Sequence, residues 1–236
     1  MLQNNYKVVF QDLGLIAYDE AWAYQEKLFG EITQSKRDIQ QGNSTNQSTP
    51  NYLLFCEHPH VYTLGKSGTI SNLLIDHIQL KAKDAEFFHI DRGGDITYHG
   101  PGQIVGYPIL NLEYFVKGVK EYIYKLEESV ILTLDEIVIK SGRLPGAIGV
   151  WLDADTPRAR KICAIGVRTS RWVSMHGFAF NVNTQLDYFA HINPCGYTDK
   201  AVTSVSNELG NIQDMDKIKS ILKTKIALVF EFNYAS

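Results

Sequence analysis

Strand-like and helix-like stretches are interspersed in this chain without strict strand–helix–strand alternation. That predicts an α+β, or mixed α/β, fold: one domain over 1–236, with a mainly antiparallel or mixed sheet packed by helices. Three observations carry the expectation. Short β-branched and aromatic runs are bounded by turn formers, as at Tyr52–Cys56 and Lys161–Arg168. Tyr114 to Lys140 carries Phe115, Val119, Tyr122, Ile123, Leu126, Val130, Leu134 and Ile137, mostly three or four residues apart, as an amphipathic helix on a sheet requires. No internal repeat is evident, and the one long polar stretch, 40–51, reads as a flexible surface loop rather than a domain linker.

Taken in order, Val8-Val9-Phe10 forms a first short strand. A helix with Asp19 as its N-cap follows, carrying Ala21, Trp22, Tyr24, Leu28 and Ile32. Tyr52–Cys56 is a buried strand with Cys56 as a small hydrophobe. His58 and His60 flank Pro59 with no evident third ligand, so they read as turn and surface histidines rather than a metal pair. Phe87 to Asp91 leads as a strand into a glycine-rich stretch. Gly142 and Pro145 end the long helix, and strands over 147–152, 161–168 and 172–183 follow. Ile218, Ile221, Leu222, Ile226 and Val229 mark a closing helix.

Composition narrows the function classes. A net charge of −3 gives no global reason to expect nucleic acid as a partner. No apolar run approaches the roughly 20 residues of a membrane span, and the N-terminus does not read as a signal peptide. Three cysteines, Cys56, Cys163 and Cys195, form no Cys-x-x-Cys pair, which points to a reducing, cytoplasmic setting without disulfides or a thiolate metal site.

The chemistry concentrates in two places. Arg92-Gly93-Gly94-Asp95-Ile96-Thr97-Tyr98-His99 is followed by a Gly100-Pro101-Gly102-Gln103 turn and an apolar run, Ile104 to Leu112. A tight hairpin would account for the glycines; a wall where backbone approaches a ligand accounts for the cation and histidine as well. In the second half, alternation along 161–168 puts Lys161, Cys163 and Ile165 on one face and Ile162, Ala164 and Gly166 on the other. Lys161 reads either as a solvated strand end or as a functional cation. Ala164 and Gly166 leave space beside that strand, and Gly177-Phe178-Ala179 leaves a second gap. Cys195, between Pro194 and Gly196, sits in a constrained loop; such a thiol is a nucleophile if Lys161 or a histidine lowers its pKa or takes its proton. From Thr156 to Leu186 there is no Asp or Glu, whereas Arg158, Arg160, Lys161, Arg168 and Arg171 all fall there, as solvated strand ends or as a docking face for an acidic partner.

Arg92-Gly-Gly-x-x-Thr-Tyr-His-Gly-Pro-Gly-Gln-x-Val-x-Tyr-Pro-Ile, Lys161-x-x-Ala-Ile-Gly, His176-Gly-Phe-Ala and Asn193-Pro-Cys-Gly occur in one order, and with them the chain resembles the lipoyl (octanoyl) transferases over nearly its whole length. The resemblance implies a fold shared with biotin and lipoate protein ligases. It implies transfer of an octanoyl or lipoyl group from acyl carrier protein to a lysine of lipoyl domains, those of 2-oxoacid dehydrogenase complexes and the glycine cleavage H protein, with no cofactor and no metal. Carried over by position, Cys195 is the acyl-thioester nucleophile and Lys161 lowers its pKa. Arg92 to His99, Ala164, Ile165, Gly166, Gly177, Phe178 and Ala179 then form the acyl site. Cys163 is the rival nucleophile, because it shares a face with Lys161. The alternative activity on the same fold is an ATP-dependent lipoate or biotin ligase, which needs no cysteine.

Overall fold

Alternation of two kinds decides what each segment becomes. In the computed structural model, described for residues 6–43, 48–193 and 201–235, the chain begins with β1 (Lys7–Leu15) and α1 (Tyr18–Gln40). β2 (Tyr52–Glu57), β3 (Val61–Leu64), α2 (His77–Ala82), β4 (Glu86–His89) and β5 (Ile96–His99) lead to β6 (Gln103–Ile109) and α3 (Val119–Glu136). Then β7 (Gly142–Leu144), β8 (Ala147–Leu152), β9 (Arg160–Ser170) and β10 (Val173–Asn181) form a meander. The chain closes with β11 (Ala201–Val202), α4 (Val205–Leu209), α5 (Met215–Phe230) and β12 (Asn233–Tyr234).

Among the described residues, the larger sheet has the order β12-β1-β2-β6-β10-β9-β8-β7, with β11 beside β9, and β4-β3-β5 form a second, three-stranded sheet. β1 runs parallel to β2 and β12, and β11 parallel to β9, while β2–β6–β10–β9–β8–β7 are antiparallel. This is the mixed sheet packed by helices that the sequence predicts.

Successive residues of each strand go to opposite faces. Leu53, Phe55 and Ile104 pack with Leu126 and Val130 of α3 and Leu222 and Ile226 of α5. Their neighbours Leu54, Cys56 and Val105 pack instead with Ala21, Leu28 and Ile32 of α1. The smaller sheet has its own cluster, including Tyr62, Leu64, Ile96 and Tyr98.

Several expectations are corrected. The first helix begins one residue before Asp19, after Ala17, which provides no side-chain cap; Asp19 lies in the first turn, where its charge meets the helix dipole. The helix expected over 114–140 is confined to α3, and a single 3₁₀ turn at Leu112–Tyr114 precedes it. α2 was not predicted. At six residues it is too short to show a period, and its capping box, Asp76 with Gln79, is its main local signature. The surface-loop reading of 40–51 fails at its end. Thr49 and Asn51 are buried, the Asn111 N–H donates to Asn51 Oδ1 (2.8 Å) and the Thr49 N–H donates to the Tyr114 hydroxyl (3.1 Å). No helix among the described residues is long and apolar enough to cross a membrane.

Candidate active site

Were alternation along β9 unbroken, Lys161 would point the same way as Cys163. Cys163 is fully buried in the α3/α5 core, where burial pushes its thiol pKa well up, so an ammonium there would be costly. A bulge prevents this. Val150 pairs with Cys163 but Trp151 pairs with Lys161, which leaves Ile162 extra and re-aims the side chain before it. The expectation that Lys161 and Cys163 share a face is therefore overturned. Lys161 lines a cavity with Ala164, Gly166 and Trp151, and its Nζ lies 4.7 Å from the centroid of the Trp151 ring. β8 requires glycine at 149. Its φ is 121°, and a Cβ there would collide with the Cys163 carbonyl oxygen and meet Lys161 Cδ and Cε at 3.5 Å.

The cavity holds about 510 Å³ and is largely apolar. Its roof is the loop between β4 and β5. Arg92 anchors that loop: Nη2 donates to the Thr63 carbonyl (2.6 Å) and to Thr63 Oγ1 (3.0 Å), and Nη1 to the Gly93 carbonyl (3.0 Å). The Gly93 N–H then donates to the Val167 carbonyl of β9 at 2.9 Å. This close approach explains Gly166, where a Cβ would stand 2.8 Å from the Gly93 carbonyl oxygen. Gly177 is similar, since a Cβ there would collide with the Gly106 carbonyl oxygen. The space expected at these two glycines is thus taken up by backbone.

Arg92, Gly93, Gly94, Asp95, Ile96, Thr97, His99, Lys161, Ala164, Ile165, Gly166, Gly177, Phe178 and Ala179 all line the cavity. Tyr98 is not among its lining residues. It is fully buried in the smaller sheet's cluster, and its hydroxyl hydrogen-bonds His60 Nδ1 (2.7 Å). Cys195 lies outside the described residues. Beyond it, Ala201 and Val202 line the cavity, and β11 pairs them with Arg160 and Lys161.

Two neutral histidines, His99 and His176, line the cavity, and a third, His58, packs edge-on against His99. Burial lowers the His99 pKa to about 3, and its Nδ1 donates to Gln103 Oε1 (2.8 Å). Burial lowers His58 to about 4; Nδ1 donates to the Ile16 carbonyl (2.8 Å), and Nε2 accepts from the Tyr107 hydroxyl (2.7 Å). The reading of His58 as a surface residue is thus corrected. Burial also takes His176 to about 4, although its Nε2 contacts Asp91 Oδ1 (2.9 Å), whose other oxygen pairs with Arg168 (2.6 Å). Groups with such low pKa values are weak proton acceptors at neutral pH. Among the described residues, no group of three or more His, Cys, Asp or Glu could hold a metal ion.

The basic stretch is less of a positive face than its composition suggests. Arg160 pairs with Asp153 and Glu208, and Arg168 with Asp91, carboxylates from outside the stretch; Arg158 and Arg171 are exposed. Sequence reading also missed lining residues. Gln103 and Tyr107 belong to the Gly-Pro-Gly-Gln-x-Val-x-Tyr motif, where polar groups inside a buried strand are a usable signal. His176 opens its own motif. Tyr18 and Trp151 carry no local signature of a site.

Residues 17–227 match the model of the lipoyl protein ligase A/B catalytic domain. The chain is 55% identical over 228 residues to an octanoyltransferase of Flavobacterium johnsoniae, covering 96% of this chain and 98% of the relative. It is 59% identical over 207 residues to an octanoyltransferase of Christiangramia forsetii, covering 87% and 88%. In fold it is similar to a lipoate-protein ligase A whose crystal structure holds ATP, with a TM-score of 0.68, 13% identity, and 98% of this chain and 88% of that one covered. The match across the catalytic domain, and identity above one half along nearly the whole chain, make this protein a member of the lipoyl protein ligase A/B family.

Proposed function

We propose that this octanoyltransferase takes its acyl group from octanoyl-acyl carrier protein and passes it, through a thioester on Cys195, to a lysine ε-amino group of a lipoyl domain. The acceptors are the lipoyl domains of 2-oxoacid dehydrogenase complexes and the glycine cleavage H protein, and the setting is the cytoplasm. The observation that supports this reading is the largely apolar cavity of about 510 Å³ with Lys161 turned into it, in a chain 55% identical to an octanoyltransferase. Burying an eight-carbon chain at about 0.8 kcal/mol per methylene supplies several kcal/mol of binding.

The Cys195 thiolate attacks the thioester carbonyl, and the carrier's thiol leaves with the proton that Cys195 gave up. The acceptor amine then attacks the Cys195 thioester, forming an amide, losing one proton and releasing the thiolate. Exchange between thioesters is nearly balanced, whereas aminolysis runs downhill. As a cation, Lys161 favours the thiolate; as an amine, it can take a proton in either half-reaction.

The deciding experiment incubates the protein with octanoyl-acyl carrier protein and maps the adduct by mass spectrometry. An octanoyl group on Cys195, lost on adding a lipoyl domain without ATP, is the expected result. An adduct on Cys163, full activity of Cys195→Ala, or turnover only with ATP and a free acid would overturn the reading.

A further inference from the structure

We infer that Trp151 is a positioning residue for Lys161, holding its ammonium against the cavity wall through the indole face, on a strand whose register the buried carboxylate of Glu127 sets. The inference rests on the role given to Lys161 above and goes beyond it, since it concerns what holds that side chain in place.

Lysine has four rotatable bonds, so a lysine at a cavity edge does not by itself hold one position. Here its Nζ lies 4.7 Å from the Trp151 ring centroid, within the distance at which a cation is attracted to an aromatic face. The ring is itself fixed. Trp151 is 2% exposed, and its Nε1–H donates to the Ala147 carbonyl (3.0 Å) at the start of the same strand. Two residues before it, the Gly149 N–H donates to Glu127 Oε1 (3.0 Å), while Glu127 Oε2 accepts from Arg143 Nε (2.9 Å). Glu127 is buried on α3, so the helix grips β8 beside the bulge that opposes Trp151 to Lys161. The Lys161 alkyl stem packs beside Gly149, 3.5 Å from where a Cβ would stand, and it is the Cys163 carbonyl oxygen that leaves no room for a side chain there. A ring face attracts the ammonium and not the neutral amine. It therefore favours the state in which Lys161 carries the proton and Cys195 is the thiolate.

The test compares Trp151→Phe and Trp151→Leu, together with 5-fluoro- and 5,6-difluorotryptophan placed at 151, which keep the ring's shape while weakening its face. The expected result is a fall in kcat of roughly three- to thirtyfold for Trp151→Leu, with KM for the octanoyl donor within about twofold and most of the rate recovered in Trp151→Phe. The fluorinated series should fall stepwise at unchanged Tm; it decides the matter even if Trp151→Leu does not fold. Alkylation of Cys195 in Trp151→Leu/Lys161→Ala should be no slower than in Lys161→Ala alone. Full rates across the fluorinated series, or additive losses in the double variant, would overturn the role of Trp151 while leaving Lys161 in place. Full transfer activity in Lys161→Ala would instead remove the reading on which it rests.

Discussion

The two faces of the large sheet come from the same strands by the same alternation, yet they are different materials. Toward α3 and α5, Leu53, Phe55, Ile104 and Phe180 meet an almost wholly apolar layer. Toward α1 and the smaller sheet, neighbouring positions carry or contact His58, His99, His176, Arg92, Gln103 and Tyr107, all buried. Those polar groups are costly to bury unless partnered, and most of them have a named hydrogen-bond partner within the same face. One face supplies stability. The other spends part of it on a cavity with fixed donors and acceptors.

That division can be broken most sharply at Lys161. Lys161→Met should lower octanoyl transfer by about a hundred- to ten-thousandfold, the range of a lost proton-transfer group, while Tm stays close to that of the parent. A comparable fall in Tm would mean that the residue belongs to the stabilising face after all. The converse substitution is Leu126→Ala in the apolar layer, at a residue with no exposure. It should cost about 2–5 kcal/mol in urea unfolding and leave the activity of the folded fraction unchanged.

Gly166→Val addresses the seam where the Arg92 loop meets β9. A Cβ 2.8 Å from the Gly93 carbonyl oxygen must displace the loop. We expect a loss of about 1–3 kcal/mol together with a raised KM for the octanoyl donor; a normal KM would separate the loop from acyl binding.

The histidine-bearing face should also make stability depend on acid. His58, His99 and His176 sit at about 4, 3 and 4 in the folded protein, below the ordinary 6.5. Between pH 6.5 and about 4 the unfolded chain binds protons that the native state refuses. Stability is therefore full above pH 6.5 and falls as pH drops, by roughly 1.4 kcal/mol per pH unit for each histidine. Urea midpoints from pH 7 to pH 4.5 measure this slope, and His176→Asn should reduce it by about one proton. The smallest effect is expected at Cys163→Ala: transfer activity within about threefold of the parent and a cost near 1 kcal/mol, as for a minor core truncation. Loss of transfer there would return Cys163 to candidacy as nucleophile.

Much of this was legible from residues alone. The run from Ile104 to Leu112 after a Gly-Pro-Gly-Gln turn announced β6, and the turn is realised with Gly102 at φ 79° and the Gln103 N–H donating to the Gly100 carbonyl (3.2 Å). The Arg92–His99 motif drew attention to the cavity roof. It misled at Tyr98, because residues adjacent in a motif go to opposite sides of a strand: Thr97 and His99 line the cavity, and Tyr98 between them is buried on the other side. Trp151 was invisible because its importance comes from a partner ten residues away across a hairpin.

What the sequence by itself determined is what repeats locally: alternation, helical spacing, turn chemistry and the order of the motifs. Where Lys161 points was decided by tertiary structure alone. Period two sends it into the apolar core with Cys163; the bulge against β8 sends it to the cavity. That bulge belongs to the pairing of two strands, with Gly149 beside it held by Glu127 from a distant helix, and no periodicity within β9 encodes it.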